Sequence, residues 1–131
     1  CRSENIDLLK RFYKKKIILI DRFVDSTIAY QHYGQHIDIK LIKLINKYLL
    51  KNFKIDFTFL NTVNEKNMIK RLKLRKKLNR YDKFNTKFYK KVQKGFINLS
   101  KKNKSKYHLI DSNLDKIKNK LLVIQKIDKL I

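Results

Sequence analysis

The sequence predicts an α/β chain with a mainly parallel sheet and flanking helices. Three observations predict it. The runs Lys16–Asp21 (KIILID), Ile55–Leu60 (IDFTFL) and Tyr107–Asp111 (YHLID) are β-branched or aromatic and apolar on both faces, as buried parallel strands are. Helical stretches fill the gaps between them. The 131 residues, 43% hydrophobic, hold material for one core and show no repeat, linker or domain boundary.

Each helix has its own signal. Ser3–Phe12 opens on Ser with Glu and Asp following, a capping region. Asp38–Leu50 carries Ile39, Ile42, Ile45 and Leu49, but also Leu41, Leu44 and Tyr48. That arc is wider than one core-facing stripe, so it predicts a helix touching both its own sheet and a partner. Asn64 to about Lys77 reads as a basic helix starting at Asn64. Asn85–Lys101 places Phe88, Val92, Phe96 and Leu99 three and four apart, and Leu114, Ile117, Leu121, Ile124, Ile127 and Ile131 continue that pattern at the end.

Charge and cysteine usage narrow the function classes. The net charge of +23 comes from 34 basic and 11 acidic residues. Such an excess points to nucleic acid, anionic membrane or phosphorylated ligands. The lysines are spread along the whole chain with no basic tail, so solvated helix faces account for most of them. Cys1, the one cysteine, forms no internal disulfide, which predicts a reducing, cytoplasmic setting. The longest apolar runs, Ile17–Ile20 and Leu121–Ile124, are far too short for a membrane span, and no secretory signal appears.

Ligands of a parallel sheet sit outside the carboxyl ends of its strands. The chemistry is therefore sought after Ile20, Leu60 and Ile110. Asp21 and Arg22 follow the first run directly. The guanidinium fork of Arg22 suits two phosphate oxygens, and Asp21 suits holding that fork or a metal-bound water. Ser26 is placed to cap the next helix. Tyr30 packs on a sugar or base, and Gln31 offers a donor and an acceptor to a pyrimidine edge. Taken alone, Asp-Arg is as readily a plain salt bridge, and Ser26 a plain helix cap.

The whole string DRFVDSTIAYQHYG, residues 21–34, resembles the DR-Y/F-x-x-S-x-x-AYQ-G-x-G segment of the thymidylate kinase family. Further matches follow in order. Ile55–Phe59 resembles the family's PDLTF strand, and Arg71–Asp82 (RLKLRKKLNRYD) its arginine-rich lid. Phe88–Phe96 resembles the helix after the lid, and His108–Asp111 the final strand ending in Ile-Asp. The resemblance covers nearly all the chain as one domain, 1–131, with a dTMP-binding segment at 21–36 and a lid at 71–82.

The resemblance implies a P-loop nucleoside-monophosphate-kinase-like fold, N-terminally incomplete. It implies transfer of the γ-phosphoryl group of ATP to dTMP, giving dTDP, with Mg²⁺ and as a homodimer. Arg22 would hold the dTMP phosphate, and Asp21 would organise phosphate and metal. Ser26 and Gln31 match positions near the thymine, Tyr30 one near the sugar, and Arg2 an arginine that hydrogen-bonds the thymine. Arg71, Arg75 and Arg80 match the lid, whose arginines neutralise charge developing in phosphoryl transfer. No protein metal ligand is assigned. Specific nucleic-acid binding is not expected.

The departures are specific. His32 and His36 flank the retained Gly34 where the family pattern has glycines, and read as loop residues rather than metal ligands. Ile55 replaces a proline; Thr62 and Asn64 replace acidic residues of an LDVDP segment. The phosphate-binding loop G-x-x-x-x-G-K-[ST] cannot occur in a chain whose only glycines are Gly34 and Gly95. A chain opening on Cys is expected to be partial, with that loop upstream. Two alternatives stay open: a basic nucleic-acid-binding module, and a degenerate, non-catalytic kinase homologue.

Overall fold

The computed structural model describes residues 2–51, 53–74 and 85–130, without the side chains of residues 2–5 and 8. The order is α1 (Arg2–Phe12), α2 (Val24–Thr27), a π-helical segment (Ile28–Gly34), α3 (Ile39–Leu49), β1 (Thr58–Thr62), α4 (Glu65–Lys73), α5 (Thr86–Lys102), a 3₁₀ turn (Lys104–Lys106), β2 (Tyr107–Asp111) and α6 (Lys116–Asp128). β1 and β2 pair in parallel, from Thr58 beside Tyr107 to Thr62 beside Asp111. The crossover between them runs through α4 and α5, as a parallel pair requires.

Helix starts follow local chemistry. Asp38, Asn64, Asn85 and Asp115 each accept a backbone N–H of the first turn they cap. Such caps contribute about 1 kcal/mol each. On α5, Phe88, Val92 and Gly95 fall on one buried face. Phe88 and Val92 join Ala29 in the core, with Tyr30, Tyr89 and Phe96 packed around them. The largest cluster of the core thus sits at the seam between the π segment and α5, while Ile6, Leu9, Ile42, Leu60 and Ile110 are also buried.

Both glycines serve that seam. A Cβ on Gly34 would stand 2.5 Å from the Phe88 ring, and one on Gly95 would stand 2.6 Å from the Tyr33 ring. Each glycine lets one helix approach the other's aromatic side chain. Their use is packing, which fits their spacing far better than a phosphate loop.

Three expectations need correction. Lys16–Asp21 is not a strand of the sheet: among the described residues, β1 and β2 pair only with each other. A run that pairs with no strand gains no sheet neighbours to bury its side chains, and Leu19 is 81% exposed. The strand expected at Ile55–Leu60 lies at Thr58–Thr62, where it overlaps the five residues of β2. Ser26 caps nothing: it lies inside α2, whose N-terminal flanking residue is Phe23, with no side-chain cap. The apolar stripe of α6 is not core, since Ile117, Leu121 and Ile124 are exposed. α6 is tethered instead by Asn119, whose amide donates to the Asp111 carbonyl, and by Lys126 over the Phe57 ring.

Candidate functional site

The apolar run Ile17–Ile20 is followed by Asp21 and Arg22, and both side chains are exposed. Arg22 has φ 58°, the left-handed region that a non-glycine residue occupies at a cost of about 1–3 kcal/mol. Such strain persists where the surroundings hold it. Here the guanidinium lies 5.6 Å from the centre of the Tyr30 ring, and Nη1 donates to the Tyr30 hydroxyl at 3.4 Å. Cation and ring thus fix each other, a contact worth about 0.5–1 kcal/mol at an exposed site. The core side of Tyr30 leans on Phe88 and Phe96, with ring centres 6.0 and 6.3 Å away. Arg22 is therefore steered from the core through one tyrosine.

Tyr30 and Gln31 ride on the π segment Ile28–Gly34. Wide π turns cost regular hydrogen bonding and recur at functional sites. Gln31 Oε1 is shielded from solvent and has no hydrogen-bond partner among the described residues. An orphaned acceptor costs about 1–3 kcal/mol, so this amide gains by meeting a ligand N–H. The same turn leads into a loop where Ile37 N–H donates to the Gln31 carbonyl at 2.9 Å.

The carboxyl ends of β1 and β2 are cross-tied. Ser112 N–H donates to the Thr62 carbonyl at 2.8 Å, and the Thr62 hydroxyl donates to the Ile110 carbonyl at 3.3 Å. Asn113 Oδ1 accepts from Asn64 N–H at 3.1 Å and from the Asn67 amide at 2.9 Å. Asp111 in turn accepts from the backbone and side chain of Asn113. Thr62 and Asn64, neutral where the resemblance has acids, thus satisfy backbone groups here. Arg71 belongs to this node: its Nη2 donates to the Ser112 carbonyl. Lys90 adds an exposed ion pair to Glu65 at 2.7 Å, worth at most about 1 kcal/mol.

The structure thus brings Arg22 and Tyr30 together, with Gln31 on the same turn. It leaves Asp21 exposed and Ser26 half-buried, and places Arg71 beside the loop after β2. Only the backbone of Arg2 is described, in the first turn of α1. Arg75 and Arg80, and with them most of the lid expected at 71–82, lie outside the described residues. Asn67 and Asn113 were missed by sequence reasoning; asparagines after strand ends are a usable signal. Among the described residues, no three His, Cys, Asp or Glu residues cluster to hold a metal. No helix of those residues is long and apolar enough to cross a membrane.

A second contact lies at the opposite edge. The Tyr107 hydroxyl, at the start of β2, donates to Asp25 Oδ2, joining α2 to the sheet. Burial first, then the hydrogen bond and charge of Asp25, push this phenol well above the ordinary tyrosine value; a bond with Thr58 opposes the rise. The two line a cavity of about 190 Å³ at the amino ends of the strands, away from the ligand edge. A phenol whose pKa is raised by folding contributes its full stability below about pH 10 and loses it as the pH climbs further. The stability gap between the protein and Tyr107→Phe is expected to narrow above about pH 10, measured as urea midpoints at about pH 8 and about pH 11.

Comparison with solved structures gives the class first. A crystal structure of thymidylate kinase from Ehrlichia chaffeensis matches with a TM-score of 0.71 and 31% identity, covering 96% of this chain and 60% of that one. The chain therefore has the α/β fold of the P-loop nucleoside monophosphate kinases. A thymidylate kinase family model matches residues 3–121. The thymidylate kinase of Trichodesmium erythraeum (strain IMS101) is 37% identical over 119 residues, 89% of this chain and 52% of its own. That of Ehrlichia chaffeensis (strain ATCC CRL-10679 / Arkansas) is 39% identical over 97 residues, 74% of this chain and 46% of its own. The chain belongs to the thymidylate kinase family. It spans about half the length of the curated relatives it matches.

Proposed function

We propose that the complete protein transfers the γ-phosphoryl group of ATP to dTMP, and that these 131 residues carry the acceptor side of that reaction. The observation that carries the reading is Arg22, strained and set against the Tyr30 ring, with the Gln31 amide oxygen on the next residue buried and unpartnered among the described residues. Arg22 takes the dTMP phosphate as a planar fork. Tyr30 holds the guanidinium and faces the sugar, while Gln31 meets the thymine edge. Ser26 and Arg2 support the base. Phosphoryl transfer needs positioning and charge stabilisation above all. Arg71, Arg75 and Arg80 supply positive charge over the phosphates.

Mg²⁺ takes one or two carboxylates and completes its shell with phosphate and water. The exposed Asp21 fits that donor set by holding a metal-bound water. The metal supplies charge neutralisation on the phosphates when bound. The ATP phosphates need a loop of backbone N–H groups that a chain with Gly34 and Gly95 alone does not contain. The test is ADP release coupled to dTMP. The complete protein is expected to turn over; the 131-residue chain is not. Robust turnover by the chain alone contradicts this division.

A second copy of the chain is proposed to cover α3. Ile42 and Asn46 point inward, while Leu41, Leu44, Ile45 and Tyr48 are exposed, Leu44 by 66% and Tyr48 by 82%. Single exposed leucines are ordinary; a contiguous apolar helix face marks an interface. Sedimentation is expected to give a dimer that Leu44→Asp converts to monomer; an unchanged mass for the variant contradicts this interface. A cytoplasmic setting follows from the same reading.

A further inference from the structure

The last turn of the π segment and the loop after it, from Gln31 to Asp38, close on each other. Ile37 N–H donates to the Gln31 carbonyl at 2.9 Å, and His36 N–H donates to the His32 carbonyl at 2.9 Å. The His32 ring completes the circuit: its Nδ1 lies 2.9 Å from the Ile37 carbonyl. A carbonyl only accepts, so Nδ1 carries the proton. Ile37 thus holds Gln31 through its N–H and His32 through its C=O. The outer face of the imidazole stands edge-on to Tyr33, with ring centres 4.9 Å apart, and Tyr33 is seated on Gly95 of α5. His36, left-handed at φ 62°, accepts from Lys91 Nζ at 3.0 Å, tying the far end of the loop to α5.

We infer that His32 is a positioning residue for base recognition: its imidazole locks residues 31–37, the end of the π segment and the loop after it, and so fixes the direction of the Gln31 amide. The inference rests on the proposed reading of Gln31 as the thymine contact. Nothing among the described residues holds the Gln31 oxygen itself. Its aim is set by its backbone, and the backbone is set by the clasp. Glycine would leave that loop free to fluctuate; a ring donating to Ile37 removes the freedom before the ligand arrives. The device acts on base discrimination rather than on phosphate binding, because Arg22 is steered separately through Tyr30.

The test uses the 131-residue chain, with calorimetric affinities for dTMP, dCMP and deoxyribose 5-phosphate. His32→Phe keeps a ring against Tyr33 but has no donor. It is expected to weaken dTMP roughly tenfold, to narrow the dTMP-to-dCMP ratio, and to leave deoxyribose 5-phosphate unchanged. His32→Asn places an amide N–H near the position of Nδ1 and is expected to restore much of the loss. Equal weakening of all three ligands together with a lower Tm would make His32 merely structural, and overturn the inference. So would wild-type discrimination in His32→Phe while Gln31→Ala weakens dTMP. If Gln31→Ala leaves dTMP affinity and discrimination unchanged, the base-contact reading fails, and the inference with it.

Discussion

Replacing Arg22 with alanine is expected to lower kcat/KM for dTMP in the complete protein by about 100- to 1000-fold, the range seen when one well-placed donor to a reacting oxyanion is lost. On the proposed reading, Arg22 meets the acceptor phosphate with its planar, charged fork. Its backbone separates function from stability. At φ 58° a glycine is more comfortable than an arginine. Arg22→Gly is thus expected to match Arg22→Ala in activity while keeping or raising Tm. Arg22→Lys keeps the charge but loses the planar fork, and should recover only part of the rate. Steady-state kinetics with varied dTMP, beside thermal melts, read both effects. A variant that loses activity only in step with its Tm would remove Arg22 from the phosphate.

Phe88→Ala is expected to destabilise the chain by about 3–5 kcal/mol, the usual cost of emptying a buried aromatic position. Phe88 is 6% exposed and fills the seam between the π segment and α5. Its ring is the surface against which Gly34 packs, and Tyr30 leans on it. Whole-domain stabilities are about 5–15 kcal/mol, so this single loss is a large share. Urea unfolding should show a lower midpoint with an unchanged slope. The variant is also expected to bind dTMP more weakly even where it stays folded, because Tyr30 and through it Arg22 lose their backing. A midpoint within error of the parent would mean that the core lies elsewhere.

What the sequence made legible was mostly local. Asp38, Asn64 and Asn85 announced α3, α4 and α5, because a capping side chain acts on N–H groups two or three residues away. Tyr107–Asp111 forms β2 over the span its apolar run predicts. Lys16–Asp21 has the same composition, yet a parallel strand is made by its neighbours, and among the described residues it pairs with neither strand. Composition cannot report that. Ser26 has a capping side chain but lies one turn too deep, since α2 begins at Val24. The π turn at Ile28–Gly34 has no sequence signal that distinguishes it from an α-helix.

The candidate site divides in the same way. Arg22, Tyr30 and Gln31 were legible as a unit because they lie within one short segment, and the structure joins Arg22 to Tyr30. The partner of Arg71 was not legible, because it is the backbone carbonyl of Ser112, a group that every residue possesses. The Asp25–Tyr107 bond links positions 82 apart in sequence, and neither residue announces the other. His32 and His36 read as loop residues. His36 is one, but His32 lies in the π segment, and their rings bind Ile37 and Lys91, contacts set by a turn of the chain that residue type alone does not specify.

The acceptor side of the reaction is proposed to reside in this chain. Backbone amide NMR of the 131 residues, titrated with dTMP and separately with pyrophosphate, tests it most directly. Shifts with dTMP are expected to concentrate at Asp21, Arg22, Tyr30, Gln31 and the residues to Ile37, with a weaker subset near Arg22 for pyrophosphate. Shifts that are the same for both ligands and scattered over the lysines would show a generic response of a +23 chain to anions, and would contradict the claim.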